Sequence, residues 1–189
     1  MMRRVWALVL AMILAVTGSA VAEGMIGFEE FAENIGALCE GDWKEAGCEE
    51  ILVLEIEEDV TVSVCLMGKR VGAVTVETLI DGPLDDMAYA VLGALECVDE
   101  DALEALGELE DGGEMYADGC VVGRLEGGLR ASVYAALEED FEELVWQSAH
   151  GGKKYHDMPA CSGMDVSRLV TREAARKAGF EPCGRCKAE

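Results

Sequence analysis

The chain has 189 residues, 51% of them hydrophobic, and a formal charge of −23. That much apolar material can build a packed core and excludes a chain that is disordered throughout. The charge is unevenly divided: residues 23–149 carry five basic and 33 acidic side chains, whereas residues 150–189 carry eight basic and five acidic, so an acidic body that repels polyanions is followed by a mildly basic tail.

The first 22 residues read as a secretory signal peptide. Arg3 and Arg4 lie in a positive n-region, Val5 to Val16 form an apolar stretch of 12 residues, and Ala20-Val21-Ala22 offers small residues for cleavage. The stretch is short for a transmembrane helix, which needs about 20 apolar residues. The expected mature chain therefore begins near Glu23, is secreted or held at the cell surface, and has no membrane span.

Residues 23–144 are expected to form one acidic domain. Phe28, Phe31, Ile35 and Leu38 recur at helical spacing, with Glu29, Glu30 and Glu33 on the opposite face. Ile51 to Glu57 reads as a strand. Val60, Val62, Val64 and Leu66 alternate with smaller or more polar residues, and Gly68-Lys69 suits a hairpin turn into a partner strand over Val71 to Leu79. Asp81-Gly82-Pro83 stops the sheet. Asp85 and Asp99 are candidate caps of two helices, one with Ala88, Leu92 and Leu95 inward and the other with Leu103 and Leu106 inward; Val98 and Leu103 suit a hydrophobic staple. A second hairpin is expected from Cys120–Leu125 and Leu129–Tyr134 across Glu126-Gly127-Gly128, then a short acidic helix over Leu137 to Leu144. Strands joined by short turns imply antiparallel pairing, hence an α+β, two-layer domain with helices on one sheet face. In element order and composition it resembles small domains of exported Gram-positive proteins.

This body has no histidine between residues 23 and 149, no Gly-rich phosphate loop and no nucleophile elbow. Its carboxylates read as solvated helix faces and first-turn residues. It holds Cys39, Cys48, Cys65, Cys97 and Cys120. Cys39 and Cys48 flank a turn-like Gly41-Asp42 segment and are the expected disulfide, with Cys65 and Cys97 expected as buried free thiols.

Residues 145–189 change character. Val145 to Ser148 and Lys153 to His156 read as strands around Gly151-Gly152. Thr171 is placed to cap a helix, with Glu173 in its first turn, Arg176 and Lys177 in its last and Gly179 just beyond. Then comes Cys183-Gly184-Arg185-Cys186, where Gly184 is expected to permit a tight turn. His156, Cys161, Cys183 and Cys186 form H-x4-C-x21-C-x2-C. Three cysteines and one histidine are a tetrahedral zinc set with no position left for water, which marks a structural rather than a catalytic site. A unit of this size has little core of its own, and a bound metal is one remedy. Export leaves the alternative of a disulfide among the three cysteines, or a redox-active C-x2-C.

His156 to Cys161, Val170-Thr171-Arg172-Glu173-Ala174 and Gly179-Phe180-Glu181-Pro182-Cys183-Gly184-Arg185-Cys186 together resemble the Ada-type metal-binding domain. The resemblance implies a small α/β zinc module. In DNA-repair members the first ligand is a cysteine that accepts a methyl group from a DNA phosphotriester. Here that ligand is His156, and its spacing to the next is longer by one. Versions that begin with histidine resemble those appended to secreted nucleases and DNA-uptake proteins.

Three functions follow as expectations. The first is an exported, non-enzymatic binding or scaffolding protein with a structural zinc tail. The second is an extracellular nucleic-acid-binding accessory protein that reads phosphates through Lys153, Lys154, Arg168, Arg172, Arg176, Lys177, Arg185 and Lys187. The third is a methyl-phosphotriester repair or thiol redox enzyme.

Overall fold

The computed structural model describes residues 26–37, 39–57, 60–80, 84–95, 98, 100–109, 111–117, 119–159, 161 and 167–186. The expected signal segment, Leu38, the expected Asp81-Gly82-Pro83 stop, Cys97, Asp99 and Lys187 lie outside the described residues.

Helix α1 (Phe28–Gly36) buries Phe31 and Ile35, the inward positions of the periodic pattern. Trp43 packs edge-on against Phe28, with ring centroids 5.4 Å apart, and lies 6.1 Å from the ring of Phe31. Strands β1 (Lys44–Glu45), β2 (Ile51–Glu57), β3 (Val60–Met67) and β4 (Arg70–Leu79) form an antiparallel meander. Gly68-Lys69 is the expected turn, with Met67 opposite Arg70. Helices α2 (Leu84–Leu92) and α3 (Glu100–Gly107) follow, then β5 (Glu114–Ala117), β6 (Cys120–Gly127) and β7 (Arg130–Leu137). Asp85, expected as a cap, falls inside the first turn of α2. The β6–β7 hairpin is longer than expected and turns at Gly128-Leu129 instead of Glu126-Gly127-Gly128. The acidic segment after it is a 3-10 turn, Glu138–Glu143, not an α-helix.

These strands make one seven-stranded sheet in the order β1-β2-β3-β4-β7-β6-β5. The α+β class is as expected. One face carries α1, α2 and α3 over an apolar cluster that includes Val62, Val64, Val74, Val76, Val122 and Val133. The other face is also covered, so two layers do not describe the molecule. Ile51, Cys65, Ala73, Val121, Tyr134 and Ala136 pack into a second cluster with Val145, Trp146, Tyr155, Leu169, Ala174 and Ala175 from the tail. Double coverage explains why β4 reads as a nearly continuous buried run from Val71 to Thr78 instead of an alternating strand.

The tail forms a second sheet in the order β10-β8-β9-β11, from β8 (Leu144–Ser148), β9 (Lys154–His156), β10 (Ser167–Thr171) and β11 (Glu181–Pro182), with helix α4 (Arg172–Lys177) between the last two. Strand β10 was not expected, and β11 runs parallel to β9. The small sheet meets the large one along an edge: the Leu169 N–H donates to Thr75 Oγ1 at 3.2 Å and the Thr171 N–H to Cys65 Sγ at 3.3 Å. Tyr134 of the large sheet stands T-shaped against Trp146, 4.9 Å between centroids. The contact also carries buried polar groups, among them Ser63, Thr75, Glu77, Ser132, Gln147 and Arg168.

The expected Cys39–Cys48 disulfide is absent. Both residues are free thiols. Cys39 packs in the cluster on the helix side and Cys48 in the cluster on the tail side, so the sheet separates them. Their thiols bond to the carbonyls of Ile35 and Ala174, each at 3.5 Å. Cys65 is free and buried as expected, and burial pushes its thiol up to about 11. Cys120, by contrast, is disulfide-bonded.

Candidate metal centre

Local chemistry builds this site from three directions. Strand β9 pairs with β8 so that His156 lies opposite Trp146, which buries the imidazole. Beyond it the chain turns, and the Cys161 N–H donates to the Met158 carbonyl at 3.2 Å. Cys183 and Cys186 arrive from the other end of the tail by way of α4.

Helix α4 starts and stops as its sequence dictates. The Thr171 hydroxyl accepts from the Ala174 N–H at 3.1 Å, a side-chain N-cap. At the C-terminus, the Phe180 N–H reaches the Ala175 carbonyl at 2.9 Å and the Gly179 N–H reaches that of Arg176 at 3.0 Å. Gly179, at φ 86°, supplies the left-handed residue this Schellman turn requires. The reversal sends Glu181-Pro182 alongside β9, where the Glu181 N–H bonds to the Lys153 carbonyl and the Cys183 N–H to the Tyr155 carbonyl, both at 2.9 Å. Cys183 thereby arrives beside His156. Gly184 has no positive φ, and a Cβ added there would meet nothing within 4 Å, so the expected need for glycine is not borne out.

The ligand atoms of His156, Cys161, Cys183 and Cys186 all lie within 4.8 Å of one another. Cys161 Sγ and Cys183 Sγ are 3.8 Å apart, and Cys186 Sγ lies 3.7 Å from His156 Nδ1. A tetrahedral ion with bonds of about 2.3 Å to sulfur and about 2.0 Å to nitrogen gives edges of roughly 3.5–3.8 Å. A disulfide would need about 2.05 Å between sulfurs, far less than the 3.8 Å between those of Cys161 and Cys183. The donor set thus has the size and chemistry to hold a metal ion, in the range that zinc prefers.

The electrostatics favour ligation as well. The Cys183 thiol is pulled down to about 7, first by the backbone N–H of Cys186 and then by that of Arg185; the Arg185 N–H lies 3.4 Å from its sulfur. Burial lowers the His156 imidazole, which keeps it in the neutral, ligating form.

The tail's cations are mostly engaged by the chain itself. Lys154 pairs with Glu181 at 2.7 Å and Arg172 with Asp157 at 3.2 Å. Lys177 bonds to Glu50 and to Glu173. Arg168 is buried against Gln147, and Arg176 bonds to the Tyr155 hydroxyl, each at 3.1 Å. A further polar centre was not anticipated: buried Glu77 accepts from Arg130 at 2.7 Å and also pairs with His150. His150 is one of only two histidines in the chain, the one hint that sequence offered.

No protein-family model matches the chain, and no curated protein or solved structure is significantly similar to it. No helix among the described residues is long and apolar enough to cross a membrane. Fold and site together define an α+β protein with a His/Cys3 cluster able to hold a metal ion.

Proposed function

We propose that this is an exported, non-enzymatic protein in which an Ada-like zinc module, residues 145–189, is held against an acidic α+β domain, residues 23–144, and that it acts in binding or scaffolding. The observation that carries this reading is the convergence of four protein donors within 4.8 Å of one another. Four protein ligands complete a zinc tetrahedron and leave no position for substrate or activated water. The signal-like segment supports export.

The nucleic-acid reading has less behind it. Of the cations it would use, Lys154, Arg172 and Lys177 are already in ion pairs with the chain's own carboxylates, and Arg168 is buried. Methyl transfer is disfavoured because His156 stands where the Ada-type acceptor is a cysteine. Native mass spectrometry of the chain lacking residues 1–22 tests the proposal. One zinc per chain, lost in Cys186→Ser, is expected; a metal-free protein with disulfides among Cys161, Cys183 and Cys186 would sink it.

A further inference from the structure

A groove of about 770 Å³ opens where the tail meets the acidic domain, with none of the four donors in its lining. Its volume falls within the range of small-ligand sites, roughly 300–1,000 Å³. Four parts of the chain line it, one of them the turn before β2 that carries Glu50. The end of β3 gives Leu66 and Met67, the 3-10 turn gives Glu142 and Glu143, and α4 gives Arg172, Arg176 and Lys177.

The lining is divided by charge. Glu142 and Glu143 are exposed, and like-charged neighbours of this kind attract an ammonium group. Arg172 and Arg176 are four residues apart on α4 and so share one side of it. Both are held in place, Arg172 by Asp157 and Arg176 by the Tyr155 hydroxyl. Arg176 uses its Nε in that bond, and a guanidinium has four further N–H donors of the kind that bind carboxylates in pairs. Glu50 also lines the groove; its Oε1 takes Lys177 while its Oε2 is buried without a hydrogen bond. Leu66 and Met67 add apolar surface that suits a small aliphatic side chain.

We propose that this groove binds a short peptide by its two charged ends, the amine toward Glu142 and Glu143 and the carboxylate toward Arg176. An anion alone would meet the carboxylates of Glu50, Glu142, Glu143 and Glu173, and a cation alone would meet three basic side chains. A zwitterion satisfies both. The inference rests on reading the chain as a binding protein and gives that reading a ligand class.

The test is an amide-resolved NMR titration of the zinc-loaded chain lacking residues 1–22, with L-alanyl-L-alanine as probe. Its N-acetyl and C-amide forms serve as controls, and native mass spectrometry of the same sample reports zinc. Saturable shifts at Leu66, Met67, Glu142, Glu143 and Arg172 to Lys177 are expected, with each blocked form weaker by roughly tenfold. In Glu142→Gln/Glu143→Gln, which removes charge at two exposed sites, the free dipeptide should weaken while the N-acetyl form is unaffected. No saturable shift at these residues at millimolar dipeptide, or equal binding of free and blocked forms, overturns the inference. If zinc is present in that sample, the metal reading survives that failure; if dipeptide binds without zinc, the groove survives and the metal reading falls.

Discussion

The two faces of the seven-stranded sheet are covered by different means. On the helix side, Phe31, Ile35, Leu92, Leu103 and Leu106 meet valines of the strands in an apolar cluster. On the tail side, apolar contacts such as Tyr134 on Trp146 are interleaved with buried Glu77, Thr75, Ser63 and Ser132. Apolar burial is non-directional and tolerates sliding. Hydrogen bonds from main-chain amides to one hydroxyl and one thiol do not. The helix face therefore supplies bulk stability, while the tail face fixes where and how the small sheet sits.

If the proposed zinc is bound, removing it should separate the two faces most sharply. Structural zinc contributes about 10–16 kcal/mol of apparent binding energy in small modules. Chelation, or Cys183→Ser, is expected to abolish hydrogen-exchange protection in residues 154–186 while amides of β3, β4 and β7 stay protected. Uniform loss across both regions would show that the tail face is needed for the whole fold. Next comes Trp146→Ala, which deletes the ring against Tyr134 and should cost about 3–5 kcal/mol in denaturant unfolding. If Leu92→Ala on the helix side instead gave the smaller loss, the comparison would tilt further toward the tail.

Glu77→Gln removes the charge shared by Arg130 and His150, and a loss of about 2 kcal/mol is expected. Thr171→Ala deletes one helix cap and should cost about 1 kcal/mol. Its readout is early fraying of amides in α4, with the metal retained.

Local chemistry explains what was legible in the sequence. The Thr171 cap and the Gly179 stop act over a few residues, and the structure places both where their spacing implied; the four donors come as two close pairs that the reversal after α4 brings within 4.8 Å of one another. The β3–β4 hairpin was legible for the same local reason. What escaped was non-local. Strand β10 lacks a period of its own because sheet contacts cover both of its sides. The Glu77–His150 pair joins residues 73 positions apart. Cys39 and Cys48 looked like partners by proximity along the chain, yet a sheet lies between their clusters. At Gly47, where φ is +97°, an added Cβ would come within 2.9 Å of the Ala178 Cβ. That glycine marks a close approach of body and tail which nothing around it announces.

The way the small sheet ends has a consequence for how the chain behaves among its own copies. An open strand edge is a template on which another molecule can add, and thus a route to aggregation and swapped assemblies. Here one border strand spends its outward amides on Thr75 and Cys65. The opposite border is two residues long and ends in Pro182, which has no N–H to offer. Neither border invites a stranger, and this matters most for a sheet of four short strands, which has little else to keep it solitary.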